Sequence, residues 1–326
     1  MTPDQPAKKY AFVLIPGYSQ LGFSCALEAL SLANRHPSAK TYYQWRILGE
    51  SGTSVPAYNG VEIAVDGPLS ALARDETLVI CAGEDVGNAT SAKLINWLRH
   101  EVRRGMDFGA LSSGTYILAR AGLLSGKRVT THWEYRSALT EILPDVIIED
   151  AIFCVDGRIF TTAGGAASMD MMLERIRNDY GDELATWVAD QMVYTDPRQP
   201  EHSQRTALRT QTKVRNSKLL LALQVMENNI EDPLTPDEIS EVVSLSTRQL
   251  ERLFAKYVGA SPKRYYLRLR LERARDLLRQ TDLSVTDVCV ACGFRSLSHF
   301  SKSYRSTYGI SPGLEGGSTM LVWRNP

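Results

Sequence analysis

Residues 234–262 and 283–312 of this chain repeat one another, and an internal repeat of that length leaves few folds open. At an offset of 49, Leu234 falls on Leu283 and Ile239 on Val288. One extra residue then enters the second copy. At an offset of 50, Ser246 falls on Ser296, Leu250 on Phe300, Phe254 on Tyr304, Gly259 on Gly309, and Ser261-Pro262 on Ser311-Pro312. Each copy reads as a short helix, a tight turn and a longer helix opened by a serine N-cap. In the longer helices the apolar residues Leu250, Leu253, Phe254 and Tyr257, and Phe300, Tyr304 and Tyr308, recur at three- and four-residue spacing, which is the face that packs inward. The opposite face carries Thr247, Arg248, Glu251 and Arg252 in the first copy and Leu297, Ser298, His299, Ser301 and Lys302 in the second. That is where a recognition helix meets base edges and phosphates, so these residues are the candidate DNA contacts.

Between the copies lies PKRYYLRLRLERARDLLRQ, about 18 helical residues and so about 27 Å at 1.5 Å per residue. Such a spacer can hold two recognition helices about one DNA turn, roughly 34 Å, apart. Helices are expected over 217–230, 235–243, 246–257, 262–280, 284–292 and 296–308. The formal net charge of the whole chain is zero, but this average hides an asymmetry. Residues 244–313 hold 13 Lys and Arg against 5 Asp and Glu, whereas residues 1–243 hold 23 against 31. A basic end on an otherwise acidic chain is the footprint of one unit that binds phosphates and another that does something else.

These residues carry a resemblance. The pattern SxRxLxRxF appears as Ser246, Arg248, Leu250, Arg252 and Phe254, followed by GxSP at Gly259, Ser261 and Pro262. The second copy shows Gly293-Phe294, His299-Phe300-Ser301, Tyr304 and Gly309-Ile310-Ser311-Pro312. Over about 80 residues the chain resembles the AraC/XylS family of bacterial transcription factors, whose fold is two helix-turn-helix units joined by one long helix. The resemblance implies double-stranded DNA as a partner, RNA polymerase as a second, and most often activation of transcription. Cys289 and Cys292 form a C-x-x-C, but there is no second ligand pair nearby and they match Ser240 and Val243 of the other copy. Core packing is the expected role, not zinc or redox chemistry.

The first part of the chain has a different grammar. From Tyr10 to about Tyr194 short β-like runs alternate with helical ones, the signature of an α/β domain with a parallel sheet covered on both faces. Residues 11–15 end at Pro16-Gly17 and feed a helix-period stretch from Leu21 to Ala33. Residues 77–82 end at Gly83, with an amphipathic helix from about Thr90 to Arg104. Residues 196–216 are polar, contain prolines and lack apolar periodicity, which marks them as a linker between a domain over 8–195 and one over 217–314. The five cysteines are odd in number and scattered, no signal peptide is legible, and no apolar run reaches the eighteen or so residues of a membrane span. The expectation is therefore a soluble cytoplasmic protein.

Within that first domain the segment from Phe108 to Ala119 reads as an apolar strand that turns at Ser112-Ser113-Gly114 into a helix, in the manner of a nucleophile elbow. Sixteen residues beyond Ser113 begins Val129-Thr-Thr-His-Trp133, which supplies His132 and Trp133. With the glycine loop Thr162-Ala-Gly-Gly165, which leads to Met169-Asp170, the segment AGLLSGKRVTTHW over 121–133 resembles the amidotransferase-like superfamily that includes the PfpI peptidases. It resembles in particular the regulators of the GlxA type, which fuse such a domain to an AraC module. Where the active enzymes of that group carry a cysteine at the elbow, this chain has Ser112, and the position of their tuning glutamate corresponds to Gly22. A serine without a strong base is a poor nucleophile.

The expected role is therefore a pocket that senses a small molecule, not a catalytic residue or cofactor site. Its candidate lining is Gly17, Ser112, Ser113, Gly114, His132, Trp133, Gly164 and Gly165. The resemblance implies a homodimer and an effector from amino-acid, betaine or carnitine metabolism; an amidase or peptidase with a DNA-binding appendage is the competing reading.

Overall fold

The computed structural model describes residues 6–143, 145–202, 204, 217–281 and 283–315, and they fall into two compact units that divide after Gln204.

In the first unit, β1 (Lys8–Leu14), β2 (Tyr43–Gly49), the short pair β3 (Ser54–Pro56) and β4 (Glu62–Ala64), β5 (Gly67–Pro68), β6 (Glu76–Cys81), β7 (Phe108–Leu111), β8 (Arg128–Val129), β9 (Ile147–Ile148), β10 (Phe153–Asp156) and β11 (Ile159–Thr162) alternate with helices. The helices are α1 (Gln20–Ala33), α2 (Val86–Ala89), α3 (Ala92–Val102), α4 (Gly114–Arg120), α5 (Trp133–Ile142), α6 (Ala167–Tyr180) and α7 (Asp182–Gln191). Seven strands form one sheet in the order β10-β11-β7-β6-β1-β2-β5, parallel throughout except at the β10 edge.

Strand periodicity builds the two cores. Along β1, Tyr10, Phe12 and Leu14 enter a cluster with residues of α1, α6 and α7, while Ala11, Val13 and, just past the strand, Ile15 enter the opposite cluster with residues of α3 and α4. Along β6, Val79 and Cys81 go one way and Leu78 and Ile80 the other. A continuous apolar strand is what two covered faces require. Because the chain runs from β1 outward to β2 and returns to β6 on the other side of β1, the sheet's switch point lies between β1 and β6, where crevices form at the carboxyl ends of strands.

Residues 196–204 depart from expectation. The described part of this stretch is bound to the first unit: the Arg198 guanidinium and amide both donate to the Asp170 carboxylate, the Ile152 amide donates to the Pro200 carbonyl, and the Gln204 amide nitrogen reaches three acceptors. Polarity disguised it, because a segment held by polar contacts has no apolar period to read. The rest of the expected linker, 205–216, lies outside the described residues.

In the second unit α8 (Ser217–Asn228), α9 (Pro236–Val242), α10 (Thr247–Tyr257), α11 (Pro262–Gln280), α12 (Val285–Ala291) and α13 (Leu297–Tyr308) match the expected helices closely. Thr235, Ser246, Ser261, Ser284 and Ser296 all act as N-caps, each side chain accepting from a backbone amide in the first turn. Residues paired by the repeat occupy equivalent core sites: Ile239 and Val288, Leu250 and Phe300, Phe254 and Tyr304 are all fully buried. Cys289 and Cys292 are buried as well, the Cys289 thiol donating to the Phe294 carbonyl. All five cysteines are free. The described residues contain no helix long and apolar enough to cross a membrane.

Candidate effector pocket and DNA-binding face

The elbow forms as its sequence suggests. Ser112 joins β7 to α4 with φ of +57°, a left-handed conformation rare for a residue with a side chain and a mark of local strain. Three contacts over-determine it. Its amide donates to the Thr162 carbonyl (2.9 Å), its carbonyl accepts from the Thr131 hydroxyl (3.0 Å), and Gly164 presses against its side chain. A Cβ on Gly164 would stand 2.6 Å from the Ser112 Cβ, and φ there is +85°, so only glycine fits.

The predicted lining residues divide in two. Ser112, Gly164 and Gly165 are brought together, and Gly22 joins them: a Cβ there would lie 3.2 Å from the Gly165 amide nitrogen and 3.4 Å from the buried Ser168 hydroxyl. His132 and Trp133 come directly after Thr131, whose hydroxyl is bonded to the elbow. Their rings lie 5.4 Å apart, and Tyr135 adds a third ring 6.5 Å from that of His132. Ser113, Gly114 and Gly17 instead hold the elbow in place. The Ser113 hydroxyl donates to the Gly83 carbonyl, Gly114 lies so close to β6 that a Cβ would stand 2.6 Å from the Ile80 carbonyl, and the Gly17 carbonyl accepts from the Glu84 amide.

Among the described residues no side chain hydrogen-bonds to the Ser112 hydroxyl, so nothing draws off its proton. Burial holds the His132 pKa below its ordinary value against the opposing pull of Glu134, whose carboxylate stands 3.5 Å from Nδ1. The ring is therefore neutral near pH 7.

Sequence reasoning missed Thr131, Ser168, Asp170, Arg198 and Gln204 as parts of this site. Their one local signal was the Met169-Asp170 step of the glycine-loop motif. The Asp170 carboxylate is fully buried and paired with Arg198, and it also accepts from the Tyr194 hydroxyl.

In the second unit Arg248, Glu251 and Arg252 lie exposed along one side of α10, and Leu297, Ser298, His299 and Lys302 along the matching side of α13, with Ser301 half-buried. Two of the expected contacts have internal partners. The Thr247 hydroxyl donates to Asp237 (2.6 Å), tying α10 to α9, and the His299 ring lies 5.8 Å from that of Phe294. The same helical stripes also present Lys256, and Arg305 four residues beyond Ser301, both exposed and both missed.

The arginines of the long helix α11 divide sharply. Arg270 stacks 4.1 Å over Phe294 and donates to the Cys292 and Gly293 carbonyls, while Arg275 and Arg279 converge on the buried Glu315 carboxylate. These three hold the second helix-turn-helix together. Lys263 and Arg264 stay exposed at the start of α11. That helix runs 19 residues, about 28 Å.

Comparison with known proteins agrees with both halves. The model of the DJ-1/PfpI family matches residues 8–178, and that of a helix-turn-helix domain matches residues 239–314. The chain is 41% identical over 306 residues to the HTH-type transcriptional regulator CdhR of Pseudomonas aeruginosa, covering 94% of this chain and 90% of that one. It is 37% identical over 301 residues to the HTH-type transcriptional regulator GbdR of the same species, covering 92% and 82%. Among solved structures, an AraC family transcriptional regulator from Pseudomonas putida is 30% identical, with a TM-score of 0.52, all of that chain matching 57% of this one. Relatives that match over most of their length are named as HTH-type transcriptional regulators, in agreement with the regulator reading. The chain belongs to the AraC-type transcriptional regulators that carry a DJ-1/PfpI domain ahead of their helix-turn-helix domain.

Proposed function

We propose that residues 8–204 sense a small metabolite at the Ser112 elbow, and that residues 217–314 then engage DNA through α10 and α13 in successive major grooves. The effector class that suits the pocket is a carboxylate with an ammonium or quaternary ammonium group: an amino acid, or a compound such as betaine or carnitine. The supporting observation is the arrangement around Ser112. Backbone from Gly164-Gly165 lies against a strained turn, and Thr131, whose hydroxyl donates to the Ser112 carbonyl, leads directly into the ring cluster of His132, Trp133 and Tyr135. Backbone amides favour an anion, and aromatic faces attract a cation. Arg248 and Arg252 supply the main contacts of the first recognition helix, with Lys302 and Arg305 in the second. The working form is a homodimer that activates transcription together with RNA polymerase.

Calorimetric titration of the full chain with glycine betaine, carnitine and a panel of amino acids tests the effector class. Binding of at least one of them, weakened by Ser112→Trp, is expected. No heat from any of them removes this effector class. Ser112→Ala should preserve effector-dependent regulation, because no step of the mechanism uses the hydroxyl as a nucleophile.

A further inference from the structure

We infer that residues 194–202 with Gln204 form a strap that reports the state of the Ser112 elbow to the chain leading into the DNA-binding unit, with Gln204 as the coupling residue. This inference rests on the effector pocket proposed above and names how its occupancy is transmitted.

The strap is pinned at two ends, and each pin reaches the elbow through one intermediate segment. At the first, Arg198 donates to Asp170 from Nε (3.0 Å), Nη2 (2.7 Å) and its backbone amide (2.7 Å), and the Tyr194 hydroxyl adds a bond of 2.7 Å. Asp170 sits in the first turn of α6, the helix entered from Gly164 and Gly165, and Gly164 is pressed onto Ser112. At the second, Gln204 Nε2 donates to the Thr131 carbonyl (3.0 Å), the Ala151 carbonyl (2.8 Å) and the Thr130 hydroxyl (3.0 Å), so that three acceptors share its two hydrogens. Thr131 in turn donates from its hydroxyl to the Ser112 carbonyl, and the next residue is His132. Midway, the Pro200 carbonyl accepts from the Ile152 amide, and the Ile152 carbonyl accepts from Thr162 Oγ1; Thr162 supplies the carbonyl that the Ser112 amide uses.

A strap joined to both sides of one strained residue feels any displacement there. A group lodged beside Ser112 pushes Gly164 and Thr131 apart, because neither contact has slack. Gln204 loses acceptors that lie in one fixed fork. Gln204 is half-buried, so water competes for its bonds once one acceptor moves. Residue 205 is next in the chain, so release of Gln204 frees the point at which the chain leaves the first unit. The two arrangements required for a switch are thus strap docked and strap released.

The test needs no knowledge of the natural effector. Ser112→Cys in the full chain places a thiol at the elbow; because Ser112 is as buried as Cys25 and Cys154, the parent chain treated with iodoacetamide in parallel is the control for labelling at the five native cysteines. Mass spectrometry confirms the modification, and trypsin then reads the strap by its rate of cleavage after Arg205. Alkylation should speed this cleavage at least fivefold. In Ser112→Cys combined with Gln204→Leu, cleavage should be fast with or without the label. Equal rates within twofold for labelled and unlabelled protein at full modification would overturn the inference, as would a label effect that survives Gln204→Leu. If Ser112→Cys resists labelling, Thr131→Val with Thr131→Ser as control replaces it: loss of the hydroxyl should speed cleavage and its retention should not, and equal rates again overturn the inference. Because the label acts as occupant, a pocket that binds none of the titrated metabolites leaves this result unaffected.

Discussion

Gly293→Ala should cripple the second helix-turn-helix while leaving the first unit intact. Gly293 closes the turn between α12 and α13 with φ of +68°, and its Cα faces the segment between α8 and α9. A Cβ there would stand 2.5 Å from the Ile230 carbonyl oxygen, 2.7 Å from that of Glu231 and 2.7 Å from Pro233 Cδ. These are backbone and ring atoms that cannot swing aside. The left-handed φ costs alanine about 1–2 kcal/mol. Crowding of this kind adds about 1–3 kcal/mol, and the stiffer unfolded chain returns about 0.5 kcal/mol. A net loss of about 2–4 kcal/mol is expected, a large part of the stability of a small domain. Gly259→Ala is the control, because Gly259 has φ of +72° with nothing within 4 Å of the added carbon. It should lose only the conformational part, about 1 kcal/mol. Urea unfolding of the full chain separates the units: far-UV circular dichroism tracks the helical second unit, whereas four of the five tryptophans lie in the first. The dichroism transition should move for Gly293→Ala and the fluorescence transition should not. If Gly293→Ala shifts no more than Gly259→Ala, crowding at this turn is not what sets the two recognition helices relative to each other.

The remaining predictions concern the two faces. Arg248→Ala and Arg252→Ala should each weaken operator binding by about 1–3 kcal/mol where the side chain reads a base, or uniformly across sequences where it meets a phosphate; unchanged affinity at both positions means α10 is not the reading helix. Arg305→Ala should reduce the dependence of log affinity on log salt by about 1, as loss of one phosphate contact does; an unchanged slope in quantitative footprinting removes Arg305 from the interface. Because burial lowers the His132 pKa in the folded state below its ordinary 6.5, the unfolded chain binds the extra proton first as pH falls. Stability contributed by the neutral ring is therefore present above pH 6.5 and lost as pH falls below it, through the lowered folded value. The first unit of His132→Asn should lose less stability than the parent between pH 7 and pH 5, measured by tryptophan fluorescence in urea, and equal losses would show that the ring is not held neutral.

Local pattern carried much of this protein. The repeat determined that the second unit is two helix-turn-helix motifs, because Leu250, Phe254, Phe300 and Tyr304 must be buried at helical spacing and Ser246 and Ser296 must cap the helices they open; both conditions live within a dozen residues. The alternation in β1 likewise determined a sheet covered on both faces, since adjacent residues point to opposite sides. What the tertiary structure alone decided involves partners far apart in the chain. Nothing near Gly164 announces that it will press on Ser112, 52 residues earlier, and nothing near Gln204 announces three acceptors on segments 53–74 residues away. An arginine in α11 reads the same in sequence whether it faces DNA or, like Arg270, Arg275 and Arg279, turns inward to a carbonyl or to Glu315. Charge is a property of a residue, but the partner that uses it is chosen by the fold. So the sequence was enough to establish a DNA-binding regulator with a strained elbow in its first unit. Only the structure showed that the polar stretch after Tyr194 is bonded to Asp170 and to Thr130, Thr131 and Ala151, the segments that meet the elbow.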